Sequence, residues 1–271
     1  MIATSSGDRD FSLTYLERFK IGDKDEGVEE PSGLALSHDR EALWTVSDNQ
    51  KRVFRVGLEG TLDKDASFKI GKEGLEGIAT GASENLLLAV REDGNEILEI
   101  SIPDEEITVR RALADMAGYG AIAHHFEGSH ANKGLEGVAF NAASGTVFVL
   151  KEGDPGLIIE LDPSLERILD HKHLGAASGF ADDDEKSAKI DYSGIQHDED
   201  SRFWIVSDKA KRLFLYDWAA DAVIQSAALG YSKDGEYREI DKAEGVAVNS
   251  DTNRLYVVSD KEAHLYMFDI R

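Results

Sequence analysis

A short motif with chemical potential occurs five times in the sequence: a glutamate or serine precedes a glycine and a small apolar pair. These motif residues are Ser32 ("EPSGLALS"), Glu76 ("EGLEGIAT"), Glu136 ("KGLEGVAF"), Ser193 ("DYSGIQHD") and Glu244 ("DKAEGVAV"). Sixteen residues later, or fifteen in one copy, a short apolar run ends in an acid. These strand-end acids are Asp48, Glu92, Glu152, Asp208 and Asp260. A spacing kept through five copies predicts that the ten side chains occupy equivalent positions of a structural repeat.

Carboxylates gathered in one place could bind a hard cation. Oxygen ligands favour Ca²⁺ or Mg²⁺, and the sequence has no Cys and no HExxH pattern that would favour zinc. We predict Ca²⁺, with Mg²⁺ less favoured, bound by Glu76, Glu136 and Glu244. The two serines and the strand-end acids are predicted to contact this ring or its ligand. In the alternative, the glutamates accept backbone hydrogen bonds that hold the repeats together, and the strand-end acids are solvated turn residues.

The elements that must position these residues are strands. In each copy, short β-branched or aromatic runs are separated by Gly, Asn, Asp and Ser, and four such antiparallel strands per repeat are typical of a β-propeller. We predict an all-β fold with five blades, and six blades as the alternative. The last copy contains three runs, so "FSLTYLERFKI" (11–21) is predicted to be the outer strand of the last blade. Residues 1–271 then form one domain.

The motif strands, starting near residues 32, 76, 136, 193 and 244, are predicted to be the innermost strands of the blades. Glycine at this position permits the close approach of neighbouring backbones around the axis. The next strand runs antiparallel, which places its terminal acid beside the start of the motif strand. The sequence therefore predicts that motif residues and strand-end acids gather at one end of a central channel.

The net charge of −23 over 271 residues constrains the partners. Nucleic-acid phosphates and anionic lipids are bound through Lys and Arg, so we expect no nucleic-acid partner. No run of eighteen apolar residues is present, so we expect no membrane span. The first residues, "MIATSSGDRD", lack the pattern of a secretory signal. The histidines at 124–125 and 171–173 are interpreted as exposed loop residues.

The motif order EPSGL, LEGIA, NKGLEGVAF, YSGI and AEGVAV, with interleaved "VSD" and "KE" endings, resembles the SdiA-regulated family of bacterial β-propellers. More distantly, the chain is similar to the calcium-dependent propellers of the phytase-like and gluconolactonase-like groups. The resemblance implies a propeller, calcium in the channel and an extracytoplasmic setting, periplasmic or membrane-anchored. It implies no established reaction.

Three classes of function remain open. The preferred one is a calcium-binding module, expected to be monomeric, that binds a small-molecule or protein ligand at the channel mouth. The second is a calcium-dependent hydrolase of an ester, lactone or phosphoester, in which the metal acts as a Lewis acid. The third is glycoside cleavage by a carboxylate pair. The ring offers Ser and Glu rather than the mixture of Asn and acids found in hydrolytic propellers, which favours binding over catalysis.

Overall fold

The five motif segments form the inner strands of five four-stranded sheets in the computed structural model, which describes residues 11–23, 25–47, 50–71, 73–128, 133–181 and 190–271. From the inside outwards, blade 1 consists of β2 (Leu34–Leu36), β3 (Ala42–Thr45), β4 (Arg52–Gly57) and β5 (Leu62–Lys69). Blade 2 consists of β6 (Leu75–Thr80), β7 (Leu86–Arg91), β8 (Glu96–Ser101) and β9 (Glu106–Ala112). Blade 3 consists of β10 (Leu135–Phe140), β11 (Val147–Lys151), β12 (Gly156–Leu161) and β13 (Ile168–Leu174). Blade 4 consists of β14 (Gly194–His197), β15 (Arg202–Ser207), β16 (Arg212–Asp217) and β17 (Ala222–Ala228). The five-blade prediction is confirmed.

Blade 5 joins the two ends of the chain. Its strands, from the inside outwards, are β20 (Ala243–Asn249), β21 (Arg254–Ser259), β22 (His264–Ile270) and β1 (Leu13–Lys20). Strand β1 pairs antiparallel with β22, from Leu13 opposite Ile270 to Lys20 opposite His264. The predicted closure of the ring by the N-terminal strand is therefore confirmed, and β22 is not left as an open edge.

The hydrophobic core consists of five clusters, each between two neighbouring blades. Strand β11 illustrates how continuous apolar runs produce this arrangement. Because side chains alternate between the two faces of a strand, Val147 and Val149 pack toward blade 2, whereas Phe148 and Leu150 pack toward blade 4. Because both faces of such a strand are covered, polar and apolar residues do not alternate along it. The runs that look uniform in sequence are therefore buried on both sides.

Glycines let the inner strands approach one another, as the motif predicts. A Cβ atom added to Gly194 would lie 2.4 Å from the carbonyl oxygen of Glu244 in the next blade. One added to Gly77 would lie 2.7 Å from the carbonyl oxygen of Glu136. Both distances are shorter than any normal contact of a Cβ atom, so an alanine at either position would push two blades apart.

We expect Gly194→Ala to lower the free energy of unfolding by about 1–3 kcal/mol, because the added methyl group overpacks a backbone contact that cannot relax. Gly120→Ala is the matched control, since no atom lies within 4 Å of its added Cβ. That control should change stability by less than about 0.5 kcal/mol. Urea denaturation of the two variants and wild type measures both effects. Equal stability of the two variants would contradict the close-packed ring.

The remaining elements connect the blades. A hairpin of β18 (Gly230–Lys233) and β19 (Glu236–Glu239) lies between blades 4 and 5. Its turn, at Asp234 and Gly235, uses positive φ angles at both residues, as the Asp-Gly pair of a tight hairpin turn does. Among the described residues, 3₁₀ turns lie at Leu113–Asp115, Tyr119–Ala121, Ala123–His125 and Ala176–Ser178. Each has three residues, far below the length that a membrane crossing requires.

Candidate functional site

The motif glutamates occupy β-bulges at the start of the inner strands. In blade 3, Leu135 pairs with Lys151 and Gly137 with Leu150, so Glu136 has no partner in the ladder. Glu244 is the unpaired residue in the same way in blade 5, and the register also shifts around Glu76 in blade 2. A bulge changes the direction of a side chain. These three side chains all line one cavity on the propeller axis.

The cavity has a volume of about 500 Å³ and lies at the end of the channel where the inner strands begin. Its described lining consists of nine carboxylates, two lysines and two serines: Glu30, Glu76, Glu92, Glu136, Glu152, Asp191, Asp208, Glu244, Asp260, Lys209, Lys242, Ser32 and Ser193. We call it the acidic cavity. All predicted site residues line it except Asp48, which lies outside the described residues.

Two strand-end acids connect neighbouring blades. A carboxylate oxygen of Glu92 accepts a hydrogen bond from the backbone N–H of Gly134 at 3.0 Å, just before the inner strand of the next blade. Asp208 likewise accepts the backbone N–H of Ala243 at 3.3 Å. The alternative interpretation assigned backbone contacts between blades to the motif glutamates, but here two strand-end acids make such contacts. These two acids are therefore not solvated turn residues.

Lysines neutralise one part of the acidic cavity. Lys209 Nζ lies 3.7 Å from Glu152 and 3.6 Å from Asp191. Lys242 Nζ lies 3.1 Å from Asp260 and 4.0 Å from Glu244. The second carboxylate oxygen of Asp260, Oδ1, is buried and has no hydrogen-bond partner in the described structure.

Glu136 lies where the negative charges are densest. No ion pair with a described lysine or arginine reaches it. Burial, together with the carboxylates of Glu76 and Glu244 and those of Glu92 and Glu152, raises the pKa of Glu136 to about 10. Burial also raises the pKa of Glu244 to about 8, against the opposing effect of Lys242. In the absence of a cation, Glu136 is therefore protonated at neutral pH.

Three of the carboxylates are close enough together to bind one ion. Glu92, Glu136 and Glu152 each offer an oxygen, and these oxygens lie within 4.8 Å of one another. Two oxygens on opposite sides of a Ca²⁺ ion are about 5 Å apart, because Ca–O distances are 2.3–2.6 Å. Three oxygens within 4.8 Å of one another can therefore reach a single cation. Glu136 belongs to this trio and also to the trio predicted from the sequence, Glu76, Glu136 and Glu244. Glu76 and Glu244 line the same cavity.

Four lining residues were not predicted from the sequence: Glu30, Asp191, Lys209 and Lys242. Two of them, Glu30 and Asp191, could have been identified from the sequence. In the two blades with a motif serine, an acid stands two residues earlier, as Glu30 before Ser32 and Asp191 before Ser193. Asp191 is buried and accepts hydrogen bonds from Ser207 Oγ at 2.8 Å and the Lys209 N–H at 2.9 Å. Every blade thus supplies a carboxylate from the segment that enters its inner strand.

Comparison with known proteins agrees with this fold. The chain is similar to the crystal structure of Myxococcus xanthus glutaminyl cyclase, with a TM-score of 0.64 and 10% sequence identity over 95% of this chain and 96% of that one. At such low identity the likeness shows the fold alone. The sequence pattern of the SdiA-regulated family matches residues 16–269, which is nearly the whole chain. The resemblance inferred from the motifs is thereby confirmed, and the protein belongs to the SdiA-regulated family.

Proposed function

We propose that the acidic cavity binds Ca²⁺ and that the calcium-loaded propeller recognises a small-molecule or protein ligand at the bacterial cell envelope. The observation that carries the proposal is the convergence of Glu92, Glu136 and Glu152, whose oxygens lie within 4.8 Å of one another. Carboxylates this close repel one another unless a proton or a cation neutralises them.

The number of oxygens supports calcium in particular. Ca²⁺ takes six to eight oxygen ligands in flexible geometry, whereas Mg²⁺ requires a nearly ideal octahedron. Glu76 and Glu244 line the same cavity and raise the number of available carboxylate oxygens. We therefore propose Glu136 as the central ligand, with Glu92 and Glu152 beside it and Glu76 and Glu244 completing the ring.

The size of the acidic cavity supports recognition in addition to metal binding. At about 500 Å³ it is far larger than one ion and falls in the usual range of ligand sites. Lys209 and Lys242 provide positive charge on its wall, so a ligand oxygen could complete the calcium coordination and contact a lysine. The described lining contains no histidine to activate Ser32 or Ser193, which favours binding over serine-based hydrolysis.

A location at the cell envelope fits this chemistry. Calcium sites in proteins outside the cytoplasm function with dissociation constants of about 10⁻⁴–10⁻³ M, because calcium is abundant there. Lysines lie beside Glu152 and Glu244 and compete with the ion for these carboxylates. We therefore propose a calcium affinity of this modest order.

The test of the proposed function is the effect of calcium on thermal unfolding. An ion that binds only the folded state stabilises it by about 2.7 kcal/mol at a concentration one hundred times its Kd. We expect excess chelator to lower the Tm and millimolar calcium to restore it. Magnesium should restore it less.

Glu136→Gln should remove most of the calcium response, and calorimetric titration should show the corresponding loss of calcium binding. Glu106→Gln, a change of the same kind on the exposed outer strand β9, is the matched control and should respond like wild type. Identical melting curves of wild type with chelator and with calcium would rule out the calcium site.

A further inference from the structure

Four histidines lie together at the outer edge of blade 3, away from the inner strands that line the acidic cavity. His124 and His125 belong to the 3₁₀ turn Ala123–His125, and His171 and His173 belong to the outermost strand, β13. The ring centroids of His124 and His125 are 3.7 Å apart, those of His125 and His173 are 4.7 Å apart, and those of His171 and His173 are 6.1 Å apart. The histidines interpreted from the sequence as exposed loop residues thus form a cluster, half of it on a strand.

The backbone holds these side chains in place. His171 and His173 are two residues apart on one strand and therefore point to the same face. The segment that carries His125 is held beside β13 by the isolated bridge between Ala117 and Arg167, the residue just before that strand. Ile122 and Phe126, on either side of His125, are buried in the core between blades 2 and 3.

Within the described part of the chain, none of the four histidines uses a ring nitrogen in a hydrogen bond. The three other described histidines do so with backbone carbonyl oxygens: His38 with Gly81 and His197 with Asp200, both at 3.1 Å, and His264 with Glu262 at 2.5 Å. The rings outside the cluster thus have a structural role, whereas those within it have none among the described residues.

The spacing of three of the rings suits a transition metal. Two imidazoles on one tetrahedral zinc ion have ring centroids about 5 Å apart, since each Zn–N bond is 2.0–2.1 Å long. The distances from His173 to His125 and to His171, 4.7 and 6.1 Å, lie on either side of this value. His124 stacks too closely on His125 to be a ligand of the same tetrahedron.

We propose that His125, His171 and His173 form a binding site for a borderline divalent transition-metal ion, Zn²⁺, Ni²⁺ or Cu²⁺, separate from the acidic cavity. Imidazole nitrogen is a ligand that these ions prefer and that calcium does not. The ring nitrogens of these three histidines do not all lie within 4.8 Å of one another, so the rings must rotate when a metal ion binds. His173 is exposed, which leaves room for that movement.

The test is a calorimetric titration of the tag-free protein with Zn²⁺ in calcium-saturated buffer. We expect one zinc ion per chain, and a loss of affinity of at least about tenfold in His173→Asn and in His125→Asn. His197→Asn is the matched control and should bind zinc like wild type. Titration with Co²⁺ gives a second readout, because three nitrogen ligands produce the visible absorption of tetrahedral cobalt, which both cluster variants should lose.

His173 is on the exposed face of an outer strand, so His173→Asn should keep the Tm of wild type and report on binding alone. Glu136→Gln should keep zinc binding, which separates this proposal from the calcium site. The absence of zinc binding by wild type, unchanged affinity in His173→Asn, or loss of zinc binding in Glu136→Gln would each overturn the proposal.

Discussion

Deletion of residues 1–21 is expected to abolish cooperative folding. It removes strand β1 and the side chains that pack beneath it: Phe11, Leu13 and Tyr15 against the core between blades 4 and 5, and Phe19 and Ile21 against the core between blades 5 and 1. Full burial of a side chain of this size contributes about 2 kcal/mol. Ile21 is buried, whereas the other four are partly buried and contribute less each. The sum is comparable to the 5–15 kcal/mol by which a typical domain is stable.

The measurement is thermal and urea denaturation followed by circular dichroism, with size-exclusion chromatography to detect association through the exposed edge of β22. Deletion of residues 1–10 leaves β1 whole and is the control; it should unfold like wild type. Addition of a peptide corresponding to residues 11–21 should partly restore the larger deletion. A protein without residues 1–21 that melts cooperatively at the wild-type temperature would contradict the closure of the ring by β1.

The second large effect is a loss of stability of the calcium-free protein as the pH rises. In the folded protein the pKa of Glu136 is raised to about 10 and that of Glu244 to about 8, whereas both are near 4.3 in an unfolded chain. Between these values the folded state binds more protons than the unfolded state, so the free energy of unfolding falls as pH increases. Each unit of pKa difference corresponds to about 1.4 kcal/mol, so we expect a large change in the free energy of unfolding.

We therefore expect the Tm in chelator to fall steadily between about pH 5 and about pH 9, and to fall less with calcium bound, because the ion replaces the proton on Glu136. Glu136→Gln should make the curve in chelator shallower, since the neutral amide does not titrate, and should leave the part of the slope that Glu244 contributes. Glu106→Gln again serves as the control and should follow wild type. Parallel curves for wild type and Glu136→Gln from acid to alkaline pH would show that Glu136 does not carry the effect.

The blades could be predicted from the sequence because their strands are short apolar runs bounded by turn residues, and because the spacing from Glu136 to Glu152 recurs in the other copies. The direction in which Glu136 points depends instead on a bulge, which leaves no mark in the apolar pattern. The trio of Glu92, Glu136 and Glu152 combines strands from two blades, and its distances follow from how those blades pack.

The contacts between distant segments could not be predicted for the same reason. The acid two residues before Ser193 is visible in the sequence, but its position in the acidic cavity depends on how the chain enters β14. The approach of His125 to His173 depends on the bridge between Ala117 and Arg167 and on the burial of Phe126. Local patterns determine strands, whereas these contacts arise only when the strands are assembled.

The position of β1 has a consequence for synthesis of the protein. Leu13 is made about 250 residues before its partner Ile270. A ribosome that adds 5–20 residues per second leaves β1 waiting on the order of tens of seconds for β22. During this interval β1 is an unpaired strand, and its alternation of exposed polar residues such as Glu17 with half-buried ones limits its pairing with other chains. The propeller can close only after β22 has been made, so the ring stays open while blades 1 to 4 are synthesised.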